Sequence, residues 1–204
     1  GPGRLLVGLS CGGAWRTSDG GATWQIAASG LRSNFVPPER EYDPDAQDPH
    51  MIVRCAAAPD VLWTQNHCGI FKTTDNGDAW TEIAPTGDAG VPSTFGFAVA
   101  VHPDDADTAW FVPAVDDEVR VPVDGRFVVT RTRDGGETFD VLADGLPDVA
   151  SYDLVYRHGL DIDATGERLV MGSTTGNLWW TRDGGDRWEL VSANLPPIAS
   201  VRLC

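Results

Sequence analysis

One eight-residue pattern, T-x-D-[GN]-G-x-x-[WF], occurs four times in the 204 residues of this chain. The copies are residues 17–24, 73–80, 132–139 and 181–188. They follow one another at intervals of roughly 50 to 60 residues, which is the range of repeat proteins whose repeats are single supersecondary units. This pattern therefore constrains the fold more than any other feature of the sequence.

Each octet has the composition of a tight turn between two strands. The Thr hydroxyl and the Asp carboxylate can accept hydrogen bonds from backbone N–H groups of the turn. Gly or Asn followed by Gly suits backbone with positive φ, and the closing aromatic residue can begin the next strand and pack on a neighbouring unit. Four aspartates could also hold a metal ion, but each lies in its own turn without a companion ligand, so we interpret the octet as structural. The residues with these structural roles are Asp19, Trp24, Asp75, Trp80, Asp134, Phe139, Asp183 and Trp188.

Strand patterns flank every octet. A strand pair precedes it, one strand follows it, and a further inner strand precedes the later pairs, at residues 52–56, 96–101 and 154–161. Each unit is then four antiparallel strands over about 50 residues, the size of a β-propeller blade. We predict an all-β fold, a single β-propeller body over residues 1–204 with four visible four-stranded blades. The predicted blades are approximately residues 1–28, 51–85, 95–144 and 152–193.

The two ends of the chain are compatible with either a closed ring or part of a larger ring. The first unit starts at its second strand, residues 5–9, with no inner strand before it. Residues 199–204 have the pattern of an inner strand with no blade after it. This strand could complete the first blade and close a four-bladed ring. Alternatively, the chain is a fragment of a ring of about seven blades.

The octet resembles the Asp-box, or BNR repeat, of sialidases and many sialidase-like β-propellers. Four further runs resemble one bacterial branch described as WD40/YVTN/BNR-like: CGGAWRT at 11–17, FGFAVAVHP at 95–103, RTRDGG at 131–136 and YDLVYRHG at 152–159. The resemblance covers the whole chain and implies a β-propeller, whereas it implies little about activity. Because members of that branch are longer, it also implies that this chain is their C-terminal part.

The charge balance limits the partners. Lys and Arg number 15 against 30 Asp and Glu, and this net charge of −15 is unfavourable for binding nucleic-acid phosphates or an anionic membrane surface. No run approaches the ~20 apolar residues that span a bilayer. The chain begins Gly-Pro-Gly without Met or a leader, which suggests a tag remnant or a cut within a larger protein. We expect no nucleic acid, no membrane, no cofactor and a cytoplasmic location.

The propeller face opposite the octets is predicted to carry the function, because binding residues usually lie on loops of a rigid scaffold. The octets join third and fourth strands and so share one face. The loops between second and third strands, and those entering the inner strands, share the other. They include the loop 113–126 and a long acidic, Pro-rich segment at 28–51, which could be a lid, an interface or a packed surface loop.

Arginines on the inner strands suggest an anion site. Arg54, Arg157 and Arg202 could converge on the central channel, where guanidinium groups would bind a carboxylate or phosphate. Alternatively, each arginine pairs with a local carboxylate such as Asp153 or Asp48. The candidate ligand-binding residues are Arg54, Arg157, Arg202, His158, His67 and Arg120.

The resemblance implies a second hypothesis, a sialidase-like glycoside hydrolase. Such enzymes use three arginines on the substrate carboxylate, a Tyr nucleophile polarised by a Glu, and an Asp acid. Position on the predicted face suggests Tyr152 or Tyr156 as the nucleophile and Glu118 as its partner, with Asp116 or Asp117 as the acid. The Arg-Ile-Pro signature that opens such catalytic domains is absent from the sequence.

Soft ligands near the channel mouth suggest a metal site as a third option. Cys11, His67 and Cys68, with His50 and His158, could hold zinc or copper. No pair has a spacing that requires a metal, and buried cysteines and capping histidines are commoner, so we predict none.

We interpret the chain as a binding scaffold that holds an anionic small molecule, glycan or protein segment on the face opposite the octets. The alternatives are the glycosidase and an assembly factor that binds protein partners through the 28–51 segment.

Overall fold

The computed structural model describes residues 3–83 and 91–204. Within them the regular structure consists of fifteen short strands and three single turns of 3-10 helix. The fold is therefore all-β, as predicted. No helix in these two ranges has the length and apolar character needed to cross a membrane.

The strands form four antiparallel sheets that follow one another along the chain. The first sheet contains β1 (Leu5–Leu9), β2 (Gly13–Thr17) and β3 (Gln25–Ile26). The second contains β4 (Pro49–Arg54), β5 (Leu62–Asn66), β6 (Gly69–Thr73) and β7 (Thr81–Ile83). The third contains β8 (Gly96–Val101), β9 (Ala109–Pro113), β10 (Val129–Thr132) and β11 (Asp140–Leu142). The fourth contains β12 (Leu160–Ile162), β13 (Leu169–Gly172), β14 (Leu178–Thr181) and β15 (Glu189–Ser192). The 3-10 turns are Pro38–Arg40, Pro44–Ala46 and Val123–Gly125.

The sheets are arranged as successive blades of a β-propeller. Strand β4 contacts β8, and β8 contacts β12, so the first strands of the last three sheets lie side by side around a central channel. The other strands of each sheet extend outward from this channel. This arrangement confirms the predicted fold class, although two inner strands have other bounds than predicted: they are Pro49–Arg54 and Leu160–Ile162, not 52–56 and 154–161.

In the described part of the chain, the first sheet has three strands and no inner strand. Its octet follows β2, whereas the octets of the other sheets follow their third strands, β6, β10 and β14. Strand β1 is therefore equivalent to β5, and it contacts β4 in the same way that β5 contacts β8. The sequence prediction that the first unit starts at its second strand is confirmed.

The C-terminal segment lies beside the fourth sheet. Residues 199–204 form no strand; Ser200 makes a single parallel bridge with His158, and the Val201 amide donates to the His158 carbonyl at 2.9 Å. The Leu203 amide donates to Asp161 at 2.8 Å. Completion of the first blade by this segment stays a prediction. Parts of two predicted blades, residues 1–2 and 84–85, lie outside the described residues.

All four octets lie at the same end of their sheets. In the second sheet, Arg54 pairs with Leu62 and Leu62 with Thr73, which opens the octet, whereas Pro49 lies at the other end of the same strand. We call each octet a box turn, the end that carries the octets the box end, and the other the opposite end. The path of the strands therefore places the loop entering β4 and the β5–β6 turn together at the opposite end.

Apolar side chains from adjacent sheets hold the blades together. Between the third and fourth sheets, Trp110, Phe127, Trp179 and Trp188 are each no more than 2% exposed. Burial of such a side chain contributes about 1.5–3 kcal/mol. The Trp110 indole also donates to the Gly184 carbonyl of the fourth box turn at 2.7 Å. Smaller clusters fill the other two interfaces between described sheets, so the blades form one rigid support for the loops.

Candidate functional site

In each box turn, the Thr hydroxyl and the Asp carboxylate are bonded within the turn. In the second turn, the Thr73 hydroxyl donates to the Asp75 carboxylate at 2.6 Å and accepts the Gly77 amide at 3.1 Å. The same carboxylate accepts the Ala79 amide at 3.0 Å, and Asn76 and Gly77 have φ of 60° and 88°. The other three turns repeat these bonds, at Asp19, Asp134 and Asp183.

These bonds lower the pKa of the box carboxylates. Hydrogen bonds from the hydroxyl and amide of Thr138 lower the pKa of Asp134 from 3.8 to about 2. The Thr17 and Thr23 hydroxyls hold the pKa of Asp19 well below its ordinary value. Each carboxylate is thus ionised and bonded within its own turn, which supports the structural interpretation of the octet.

At the opposite end, three side chains that can bind metals face one another. Asp48 and His50 flank the first residue of β4, and His67 lies in the β5–β6 turn beside them. The Asp48 Oδ2 atom lies 3.7 Å from His50 Nε2 and 3.6 Å from His67 Nδ1. The Nδ1 atom of His50 lies 2.7 Å from the carbonyl oxygen of Gly96 in β8. We call these three residues the histidine–aspartate group.

Aromatic rings fix the two imidazoles of this group. His50 stacks on Phe97 with ring centres 4.4 Å apart and planes 16° apart. Phe95 lies edge-on to both histidines at 5.8 Å, and Phe35 lies edge-on to His67 at 4.7 Å. Such contacts each contribute about 0.5–1.5 kcal/mol beyond burial, so they restrict ring rotation.

Asp48 is ionised in this buried position. Burial by itself would raise the pKa of Asp48, but interactions with His50, His67 and the Ser10 side chain outweigh it and hold that pKa well below the ordinary value. The Cys11 amide also donates to its carboxylate at 3.4 Å. The result is a buried negative charge between two imidazoles.

A cavity of about 460 Å³ opens beside His50. Arg157, His50 and His158 are among its described lining residues, and no Asp or Glu is. The Arg157 guanidinium lies 5.8 Å from the Phe97 ring centre, and Arg120 lies 5.4 Å from it. None of the ion pairs among the described residues involves Arg157 or Arg120.

The structure does not bring the three predicted arginines together. Arg54 lies at the box end of β4 and donates to the Asn76 side chain at 2.8 Å. Arg202 pairs with Asp161 at 3.1 Å. Both line a separate cavity of about 300 Å³, whereas Arg157 precedes β12 at the opposite end. The expectation of convergence fails because Arg54 lies at the box end of β4, whereas Arg157 lies before β12 at the opposite end.

The two predicted local partners of the arginines have other contacts. Asp153 is bonded to side chains of its own blade, and its pKa is lowered: burial raises it, but hydrogen bonds from Ser173, Thr175, Ser151 and Asn177 outweigh that effect. Asp48 belongs to the histidine–aspartate group. Local pairing therefore holds for Arg202, with Asp161 as its partner.

The candidate residues for glycoside hydrolysis are dispersed. The Asp116 carboxylate accepts the Glu118 and Val119 amides at 3.0 and 2.6 Å, so it stabilises its own turn. Tyr152 is 71% exposed, and Tyr156 packs against Phe97 with ring centres 5.2 Å apart. In the described part of the chain, no hydrogen bond joins either tyrosine to a carboxylate. The structure thus offers no assembled nucleophile and partner.

The predicted cysteine ligands lie outside the histidine–aspartate group. Cys68 contacts Asn34, whose amide donates to its sulfur at 3.2 Å, and burial raises the pKa of the thiol. Cys11 is exposed. Of the residues considered in the sequence, His67 and His50 do meet, and the residue that joins them is Asp48. The Asp-x-His spacing beside the start of β4 is the sequence signal for this pair, because it keeps a carboxylate and an imidazole close together in the chain.

Asp117 is the remaining predicted residue near the group. Its Oδ2 atom lies 3.7 Å from His67 Nε2, and its carbonyl accepts the Arg120 Nε–H at 2.8 Å. The 113–126 loop thereby contacts the β5–β6 turn.

Neither a protein-family profile nor a curated protein sequence matches this chain. Among solved structures, an ancestral GH74 enzyme superposes with a TM-score of 0.64 at 15% identity, covering 93% of this chain and 22% of that one. The GH74 xyloglucanase from Xanthomonas campestris gives a TM-score of 0.60 at 18% identity, with coverages of 93% and 28%. The GH74 enzyme from Niastella koreensis gives 0.60 at 16% identity, with coverages of 92% and 27%.

This chain therefore spans between 22% and 28% of the length of these structures. At such low identity the similarity establishes a propeller-type repeat fold and no more.

Proposed function

We propose that this chain is a propeller scaffold that binds an anionic ligand, one bearing a carboxylate or phosphate, in the cavity at the opposite end. The observation that carries the proposal is the lining of that cavity: Arg157, His158 and His50 line it without an Asp or Glu among the described lining residues. In a chain of net charge −15, a cavity with this lining is an exception to the surrounding surface.

Arg157 is the main contact in this proposal. Its guanidinium lies against the Phe97 ring, and no described carboxylate neutralises it. A planar guanidinium can form two parallel hydrogen bonds with a carboxylate or a phosphate, and such charge-assisted bonds are stronger than neutral ones. Arg120, which faces the same ring, adds positive charge nearby. The ligand classes that fit are small organic acids, acidic sugars and acidic protein segments.

Binding is better supported than glycoside hydrolysis. The similarity to GH74 enzymes concerns the fold and covers a small part of their length. Hydrolysis needs two carboxyl groups at a defined separation across the scissile bond, and Asp116 already accepts two amides of its own loop.

The intact protein is proposed to be a larger BNR-type propeller of which this chain forms four successive blades. The repeated box-turn bonds at Asp19, Asp75, Asp134 and Asp183 support that assignment. The 28–51 segment is packed against its own residues: the buried Gln47 side chain donates to the Glu41 and Asp43 carbonyls at 3.0 and 2.9 Å. This favours a fixed loop over a lid.

The proposal is tested by isothermal titration calorimetry with inorganic phosphate and with glucuronate, and with glucose as the neutral control. We expect both anions to bind, and Arg157→Gln to weaken that binding roughly 10-fold or more, because a hydrogen bond to a charged group is worth about 1.5–3 kcal/mol.

Arg187→Gln is the matched control, because Arg187 is exposed in the fourth box turn and its substitution makes the same charge change outside the cavity. Equal weakening in both variants, or binding that Arg157→Gln leaves unchanged, would contradict the anion site. Release of a fluorogenic sugar leaving group, lost in Glu118→Gln, would instead favour the hydrolase.

A further inference from the structure

The histidine–aspartate group has a composition that the anion site does not explain. Among the described residues it is the one group of three His, Cys, Asp or Glu side chains whose ligand atoms all lie within 4.8 Å of one another. The side chains of Asp48, His50 and His67 are 10%, 3% and 15% exposed, so the group is held inside the protein.

The backbone fixes which nitrogen of His50 carries the proton. Its Nδ1 atom lies 2.7 Å from the Gly96 carbonyl oxygen, which can only accept, so Nδ1 donates. The lone pair is then on Nε2, which faces Asp48 at 3.7 Å. A histidine whose second nitrogen donates to a backbone carbonyl has the usual arrangement of a metal ligand.

Asp117 has the equivalent position for His67. Its Oδ2 atom lies 3.7 Å from His67 Nε2, while Nδ1 of the same ring faces Asp48 at 3.6 Å. At this separation no normal hydrogen bond forms, so Asp117 places a negative charge beside the outer nitrogen of His67 without fixing its proton. The Nδ1 atom of His67 faces the same Asp48 oxygen that faces His50.

The separations match those between metal ligands better than those in hydrogen bonds. At 3.6 and 3.7 Å, Asp48 Oδ2 is too far from either imidazole nitrogen for a normal hydrogen bond. In a tetrahedral zinc site with bonds of about 2.0–2.2 Å, neighbouring ligand atoms are about 3.3–3.6 Å apart. The two separations from Asp48 are within a few tenths of an ångström of these values, and the ligand nitrogens of the two histidines lie within 4.8 Å of each other.

We propose that Asp48, His50 and His67 bind a divalent transition-metal ion of the zinc type. Two imidazole nitrogens and one carboxylate favour Zn²⁺ over Mg²⁺ and Ca²⁺, which take oxygen ligands. Three protein ligands leave the fourth position of a tetrahedral ion for water or an exchangeable ligand. Asp117 is a positioning residue that acts through His67. The metal site uses none of the contacts of Arg157, and it shares only His50 with the lining of the proposed anion site.

The test uses tag-free full chain stripped with a chelator and titrated with Co²⁺ as a spectroscopic substitute for Zn²⁺. We expect one Co²⁺ per chain with visible absorption of a tetrahedral site, no sulfur-to-cobalt charge-transfer band, displacement by Zn²⁺, and no displacement by Mg²⁺. We expect Asp117→Asn to weaken binding about 10- to 100-fold and change the visible spectrum, and His67→Asn to weaken it by about 100-fold or more.

The matched control is His158→Asn, because His158 is an exposed histidine at the same end that lies outside the group. This variant should bind Co²⁺ as the unaltered chain does. Arg157→Gln should also bind Co²⁺ normally, and that result would separate the metal test from the test of the anion site. Asp117 is 49% exposed, so its substitution should leave the fold intact. The proposal is overturned if no stoichiometric binding occurs, if a sulfur charge-transfer band appears, or if Asp117→Asn and His158→Asn have equal effects.

Discussion

The two ends of this propeller differ in how their polar groups are bonded. At the box end, Asp75 and its three equivalents are bonded to hydroxyls and amides of the same eight residues, at distances of 2.6–3.1 Å for the Asp75 carboxylate. At the opposite end, Asp48 and His50 come from one segment and His67 from another, and the Asp48 carboxylate lies 3.6–3.7 Å from the facing nitrogens of the two histidines. Arg157 beside them has no described acidic partner.

This difference distinguishes the box end, which serves as scaffold, from the opposite end, which carries the candidate site. A motif that saturates its own hydrogen bonds gains stability and has little left to offer a ligand. Side chains that are buried, charged and only loosely bonded to one another can gain by binding a ligand. The box end, which repeats in every blade, therefore serves as scaffold. The opposite end, which does not repeat, carries the candidate site.

The largest predicted effect concerns Gly145, in the connection that follows the third blade. Its φ is +81°, and an added Cβ would lie 1.8 Å from the Trp188 carbonyl oxygen, where the fourth box turn closes. We expect Gly145→Ala to lower the free energy of unfolding by about 3 kcal/mol or more, because backbone must move at the junction of two blades. Urea denaturation measures this loss.

Gly20→Ala is its control. Gly20 has a φ of +76°, but an added Cβ would meet nothing within 4 Å, so about 1–2 kcal/mol of backbone strain remains. If both variants lose the same free energy of unfolding, the close contact between the third and fourth blades adds nothing to the cost of the backbone strain.

An intermediate effect is expected for Thr73→Val, a change of nearly constant volume in a buried box turn. The hydroxyl bonds the Asp75 carboxylate and the Gly77 amide, and the amide would lose its partner. We expect a loss of about 1–3 kcal/mol in denaturant unfolding. His158→Asn at the exposed opposite end should stay within about 0.5 kcal/mol of the unaltered chain. If His158→Asn lowers the free energy of unfolding more than Thr73→Val does, the proposed division into a scaffold end and a site end is wrong.

The smallest effect is the pH dependence of a box carboxylate. Because the folded chain holds the pKa of Asp134 at about 2, below its ordinary value of 3.8, the unfolded chain binds the proton more readily between these values. The stability that this group contributes is fully present above about pH 4 and is lost as the pH falls through about 2. The stability difference between the unaltered chain and Asp134→Asn should therefore shrink between pH 5 and pH 2. Glu137→Gln, in the same turn, should show no such change.

The box turns were predictable because the bonds of their Thr hydroxyl and Asp carboxylate join residues within one octet. The Thr, Asp and Gly positions specify the turn wherever the octet occurs, and the strands beside it follow from the same repeat. The inner strand of the fourth blade was predicted less well. The predicted strand 154–161 overlaps β12 only at residues 160 and 161. Residues 154–157 form no strand, and the Leu154 carbonyl instead accepts the Thr174 amide.

The candidate site was predictable in part. The loops opposite the octets predicted His67, His50 and Arg120, and the inner strands predicted Arg157. The sequence also predicted Arg54 beside Arg157, because both follow hydrophobic residues of inner strands. Sequence alone did not show at which end of its strand each arginine lies, and β-strand register decides that.

The sequence by itself determined the repeat, the turn chemistry and the all-β blades, because each depends on residues close together in the chain. Only the tertiary structure decided that Asp48, His50, His67 and Asp117 meet, because they come from three connections that do not repeat. Their meeting depends on how the blades pack side by side and on the path of the 28–51 and 113–126 segments. Those contacts join distant parts of the chain, and no local pattern specifies them.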